Sequence, residues 1–255
     1  MEDKESIQKI LNELTNSVHE DLNFLYSIPI QGWQEKLNSI LSETSNPERV
    51  IVSLTQFIKK LSEQNISVQK YLQNQKSLRF FERIFSQSPF LSETVINHPE
   101  YVDEILADTT LSRALTKQEW LSKLGWDKIL SSSELMEYLI SNQFITQKKD
   151  WDLKRIMNQL RKLHKKALLR ITTRDIVEHQ EVKSIAEDLS SLAEAQLEIC
   201  LNLIYVFLEH KYGAPISYSE MEQKNIPSRF VIMGLGKLGG RELNFSSDID
   251  LIFVY

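Results

Sequence analysis

The stretch from Gly234 to Tyr255 reads GLGKLGGRELNFSSDIDLIFVY. It opens on Gly234-x-Gly236-x-x-Gly239 and closes on Asp248-x-Asp250 in an apolar run. Just before it, RFVIMG (Arg229 to Gly234) is β-branched and aromatic, the composition of a strand, and DLIFVY is a second such run. The glycines and RELNFSS between them leave room for only a turn or two of helix. The end of the chain therefore reads strand, glycine turn, short helix, strand: the start of an α/β domain. Two strands are marginal alone, so these must lean on what precedes them.

What precedes them is helical in pattern. Five of the seven glycines lie at or after Gly213, and no proline occurs between Pro99 and Pro215. Proline and glycine cost a helix interior about 3 and 1 kcal/mol, so a long stretch without them favours helix. Asn46-Pro47 and Ser88-Pro89 each place a capping side chain before a proline at the first helical position. Thr116-x-x-Glu119 and Ser131-x-x-Glu134 are capping boxes. Ile185, Leu189, Leu192, Gln196, Ile199, Leu203 and Phe207 form a 3–4 stripe that predicts one amphipathic helix from about 183 to 211, ended at Tyr212-Gly213. The expected fold class is α+β: about seven to nine helices through residue 212, then the α/β segment. The expected divisions are a helical region (1–150), a basic helix and long helix (151–226), and the first strands and glycine turn (227–255).

Three chemistries compete for the glycine stretch. A dinucleotide fingerprint needs a full helix after the glycines and an acidic residue about 20 positions on; here a second strand arrives first. A Walker P-loop fails because Lys237 is followed by Leu238 and no glycine lies five residues before Gly236. The third reading uses the whole stretch. Two carboxylates two apart on a strand share one face, so Asp248 and Asp250 would point together while Ile249 and Leu251 face the core. Such a pair suits Mg²⁺, a hard cation that prefers oxygen ligands and brings phosphate with it. The glycines would admit close phosphate approach, Lys237 would add a charge, and a helix from near Gly240 would aim its positive end there. The bland alternative makes Asp248 a helix-end or turn acid and Asp250 an edge-strand acid.

The 22-residue stretch resembles the signature of the glutamine synthetase adenylyltransferase/deadenylylase family, a branch of the polymerase-β-like nucleotidyltransferases. LRKLHKKALLRITTRDI (Leu160 to Ile176), LSSLAEAQLEICLNL, HKYGAP and SPFLSETVINHPEYVDEIL extend the likeness upstream. The resemblance implies a bifunctional enzyme, one half transferring AMP from ATP to a tyrosine of glutamine synthetase. The other half removes it by phosphorolysis, yielding ADP. NFSSDID is more similar to the removing half. Asp248 and Asp250 would then be catalytic Mg²⁺ ligands, with Gly236, Lys237, Gly239, Gly240 and Ser247 shaping the nucleotide and phosphate site. The implied partners are adenylylated glutamine synthetase, ATP/ADP, phosphate and a PII-type nitrogen regulator. Polymerase-β-like enzymes take a third carboxylate from a later strand, and the sequence ends five residues after Asp250. Residues 1–255 alone are therefore expected to turn over little or not at all.

The remaining features narrow the class. At 42% hydrophobic and 25% charged, with a net charge of -5, the composition is that of a soluble globular protein and argues against general nucleic-acid binding. A polar start, a single cysteine (Cys200) and no apolar run of about 20 residues predict a cytoplasmic protein without a membrane span. Residues 148–174 hold ten Lys/Arg against two Asp, a net +8. This is either a solvated helix face or a phosphate- or acid-facing surface, with Arg170 and Arg174 the foremost candidates. An Arg174–Asp175 ion pair is equally open. The five histidines lack metal spacing, and Trp33, Trp120, Trp126 and Trp151 read as core anchors. An RNA-end nucleotidyltransferase and a non-catalytic interaction module that binds glutamine synthetase or a nitrogen regulator stay open as alternatives.

Overall fold

A computed structural model describes residues 14–126, 137, 153–228 and 230–254. The chain divides into two compact units that interleave in sequence. One comprises Met1–Ser112 with Leu168–His179, the other Arg113–Ala167 with Gln180–Tyr255.

The first unit is helical: α1 (Asn16–Tyr26), α2 (Trp33–Glu43), α3 (Pro47–Glu63), the single turn α4 (Gln69–Leu72), α5 (Gln75–Gln87), α6 (Pro89–Asn97) and α7 (Glu100–Leu106). Both sequence-predicted proline starts form. Asn46 Oδ1 accepts the Arg49 N–H and Ser88 Oγ accepts that of Leu91, each satisfying a donor the helix start leaves unpaired. Helix α3 buries Val50, Leu54, Phe57, Ile58 and Leu61, one face at helical spacing, and packs against α1, α5 and α6. Phe57, Phe81 and Phe85 meet in this core, with Phe57–Phe81 centroids 4.8 Å and Phe81–Phe85 centroids 5.3 Å apart. Trp33 is fully buried, and its indole N–H donates to Leu25 O at 2.8 Å.

Helix α9 (Leu153–Thr172) contains the boundary between the units and continues into a π-helical turn, Thr173–Val177. Leu169 and Val177 join the core of the first unit. So do Arg170 and Arg174, both fully buried. Arg170 pairs with Asp108 at 2.9 Å and donates to Thr110 O at 2.7 Å; Arg174 Nε donates to Leu111 O at 3.1 Å. The two arginines foremost for a phosphate-facing surface are thus interior ties. Their partners lie some 60 positions upstream, beyond the reach of local patterning.

The second unit is built on α10 (Val182–Tyr212), the long helix that the stripe predicted, ended by Gly213 at φ 84. Helix α8 (Lys117–Lys123) packs on it. The fully buried Asp188 of α10 accepts from Leu115 N at 3.1 Å and Trp120 Nε1 at 2.8 Å. α10 is the one described helix long and apolar enough to cross a membrane. Its acids Asp188, Glu194 and Glu198 all have partners within this unit. Burial pushes the Cys200 thiol above its ordinary range, away from the reactive thiolate. The sequence-predicted box at Ser131–Glu134 and Trp151 lie outside the described residues.

The Thr116–Glu119 capping box closes on both sides, and Arg113 holds the Glu119 carboxylate well below its usual range, at about 2. A lowered folded pKa contributes stability above the unfolded Glu value of about 4.3 and loses it as pH falls through the folded one. Carbon-detected titration of Glu119 should therefore inflect near pH 2. An inflection in the ordinary Glu range would show that the clamp does not form.

After α10 come two antiparallel pairs. β1 (Ile216–Ser219) pairs with β2 (Lys224–Pro227), a hairpin that the sequence reading did not anticipate. β3 (Val231–Gly234) pairs with β4 (Leu251–Val254), Gly234 opposite Leu251 and Val231 opposite Val254. These are the two expected strands.

Candidate functional site

The first part of the link between β3 and β4, the glycine turn, closes on its own backbone. The single helical turn α11 (Gly236–Gly239) starts at the end of β3. Gly239 N donates to Leu235 O at 3.1 Å, Gly240 N to Gly236 O at 3.0 Å, and Glu242 N to Lys237 O at 2.8 Å. Leu238 is buried beneath the turn. The helix expected to start near Gly240 is absent: the one helical turn lies on the glycines themselves, and residues 240–250 form turn and loop.

Asp248 and Asp250 also sit differently from expectation. β4 begins at Leu251, so both aspartates precede the strand, and Ile249, expected in the core, is exposed. The reason lies in the partner. β3 ends at Gly234, and one further bond, Leu235 N to Asp250 O at 2.8 Å, carries the ladder to Asp250. No β3 residue remains opposite Asp248 and Ile249, so strand alternation does not govern them.

Asp250 is instead placed against the glycine turn. Gly236 has φ +54, and a Cβ built there would lie 3.1 Å from Asp250 Oδ2. Only glycine provides both the left-handed backbone and the room for that carboxylate. Both aspartates are exposed, and neither has an ion-pair partner among the described residues. Lys237, the next residue after Gly236, is exposed as well.

Ser247 is tied into a local turn. Its hydroxyl donates to Asn244 Oδ1 at 2.7 Å and accepts from Asn244 N at 3.2 Å. Ser246 N donates to the same Asn244 oxygen at 3.2 Å. Asn244 was missed at the sequence level, although an Asn that bonds the backbone two residues on is a common turn former. Missed too was the tie to α10. Arg241 donates to Glu194 Oε1 and Ser191 Oγ, each at 2.7 Å, and Leu243 N donates to Ser190 Oγ at 3.3 Å.

The exposed Asp250 carboxylate beside a glycine turn that a Cβ would crowd, with the exposed Asp248 two residues before it, fits a hard divalent cation: the donors are oxygens without an ion-pair partner among the described residues. Among the described residues no cluster of three or more His, Cys, Asp or Glu completes a metal cage.

Comparison with known proteins matches residues 78–255 to the family model described as glutamate-ammonia ligase adenylyltransferase. The chain is similar to the bifunctional glutamine synthetase adenylyltransferase/adenylyl-removing enzyme of Shewanella loihica, 31% identical over 84% of this chain and 20% of the relative. The enzyme of the same description from Alteromonas mediterranea is 34% identical over 67% of this chain and 17% of the relative. That of Aromatoleum aromaticum is 36% identical over 48% and 12%. The chain thus spans about a fifth or less of the length of these relatives. The family match takes in α9, α10 and the whole β3–β4 link, and on it the chain belongs to the glutamate-ammonia ligase adenylyltransferase family.

Proposed function

We propose that this chain contributes to the adenylyl-removing reaction of a bifunctional enzyme acting on glutamine synthetase. The observation that carries the reading is the placement of the Asp250 carboxylate against Gly236 at the mouth of the β3–β4 link. NFSSDID, more similar to the removing half of the family, supports removal over transfer. In that reaction an oxygen of inorganic phosphate attacks the phosphorus of tyrosyl-AMP. The bond to the tyrosine oxygen breaks, leaving ADP and a free tyrosine hydroxyl.

The chain's residues have distinct parts. Asp248 and Asp250 would hold Mg²⁺, which when bound neutralises phosphate charge and orients the reacting oxygens. Gly236 leaves room for the Asp250 carboxylate, and Gly239 lets the turn close against the end of β3. Lys237 offers a flexible point charge to a phosphate. Ser247 and Asn244 hold the loop that delivers Asp248. Catalysis of this kind rests on positioning and electrostatics more than on covalent chemistry. A PII-type regulator and a cytoplasmic setting accompany this reading.

The test incubates AMP-tyrosyl glutamine synthetase with phosphate, Mg²⁺ and the protein as isolated from its own cells. ADP should appear in step with loss of tyrosyl-AMP, and Asp248→Asn with Asp250→Asn should abolish it. Release of AMP without phosphate, or an unaffected double variant, would refute the reading.

A further inference from the structure

We infer that Arg241 is a positioning residue for the Asp248/Asp250 pair, clamping the loop that carries the aspartates onto the middle of α10. The inference rests on the reading of those aspartates as a metal pair.

Three observations converge on Arg241. Its backbone is left-handed, at φ 57, where glycine would be easier and a side chain is strained. Two glycines precede it, so the chain has unstrained residues at hand yet sets arginine at the strained position. Such strain persists where the surroundings over-determine it, and it gathers at functional sites. Here the surroundings are α10: the guanidinium spans Glu194 Oε1 and Ser191 Oγ at 2.7 Å each, and the next residue but one, Leu243, is buried with its N–H on Ser190 Oγ.

The clamp has little to do with holding the fold. The Arg241 and Glu194 side chains are 47% and 33% exposed, and ion pairs so open to water contribute little to stability. What the clamp fixes is geometry. The loop leaves α11 at Gly240, is pinned at residues 241–243, turns at Asn244–Ser247 and then reaches Asp248 and Asp250. Its far end is fixed by the Leu235–Asp250 bond. Both ends of the loop are therefore held, one by β3 and one by α10. Planar guanidinium suits this two-point bridge, whereas an ammonium is a single point charge.

Manganese binding to the 255-residue chain, read by electron paramagnetic resonance, tests this without reference to turnover. The wild-type chain should bind Mn²⁺, and Asp248→Asn with Asp250→Asn should abolish that binding. Arg241→Gly, which relieves the backbone strain while removing the clamp, should weaken binding roughly 10- to 100-fold, as loss of a group that orients metal ligands does. Its thermal midpoint should stay within a few degrees of wild type. Arg241→Lys should recover part of the affinity. Wild-type affinity in the glycine variant, with binding still dependent on the aspartates, would overturn the role of Arg241 alone. No Mn²⁺ binding by the wild type, or binding indifferent to the aspartates, would remove the metal-pair reading and the positioning role with it.

Discussion

Replacing Arg170 by methionine should destabilise the first unit by about 3–5 kcal/mol, the usual cost of breaking a buried ion pair from one side. The Arg170 and Asp108 side chains are only 1% and 4% exposed and pair at 2.9 Å. Asp108 also accepts from Thr110 N at 2.9 Å and Thr110 Oγ1 at 2.6 Å, while Arg170 donates to Thr110 O at 2.7 Å. Without the guanidinium, a desolvated carboxylate and the Thr110 carbonyl lose their strongest donor. Methionine fills the space but carries no hydrogen to give. Asp108→Asn in the same chain should return much of the loss, because it removes the buried charge that Arg170 faced. Amide hydrogen exchange along α3, whose core belongs to this unit, measures the effect separately from the second unit. A loss under about 1 kcal/mol from Arg170→Met would show that the carboxylate finds water, and the network would not be the tie described.

The contrast between Arg170 and the helix starts explains how much of the fold could be read in advance. Asn46, Ser88 and Thr116 cap residues within three positions of themselves, so their chemistry is local and legible. The stripe on α10 is likewise a property of one segment. Arg170 and Arg174 are charged residues that sequence reading offers for a phosphate- or acid-facing surface, and Asp188 is a third charged residue that no local pattern marks. Each is buried because of a partner 60 or more positions away. The β1–β2 hairpin escaped for the opposite reason. Its residues are mostly exposed, so no alternation of apolar and polar side chains marks it.

The candidate site divides along the same line. The two strands and the glycine turn between them were legible from composition, and so was the pairing of glycines with a D-x-D. The geometry was not. Strand alternation put both carboxylates on one face, but β3 is too short to pair with Asp248, and a loop delivers that residue. The loop's path depends on Arg241, Asn244 and three residues of α10, none of which the sequence reading gave a role of its own. A motif therefore marked the candidate site, while the anchoring of the loop decided how its groups are presented.

Two adjacent glycines should respond in opposite ways to the same substitution. A Cβ at Gly239 would lie 2.7 Å from the Gly234 carbonyl oxygen, a backbone atom that cannot swing aside. Gly239→Ala must therefore push α11 away from the end of β3, straining the Gly239 N to Leu235 O bond of 3.1 Å. Leu235 in turn donates to Asp250, so the displacement reaches the aspartate through one residue. Overpacking of this kind typically costs about 1–3 kcal/mol, and hydrogen exchange at the Leu235 amide should accelerate roughly tenfold to a hundredfold. At Gly240 the nearest atom is Gly236 O at 3.5 Å, ordinary contact, and φ is -82. Gly240→Ala should leave Leu235 protection unchanged, and the less flexible unfolded chain favours the folded state by up to about 1 kcal/mol. If both variants protect Leu235 as the wild type does, the turn is looser than its hydrogen bonds indicate, and Asp250 is not held by it. If only Gly239→Ala exposes Leu235, the closure of the glycine turn is what sets the position of the Asp250 carboxylate.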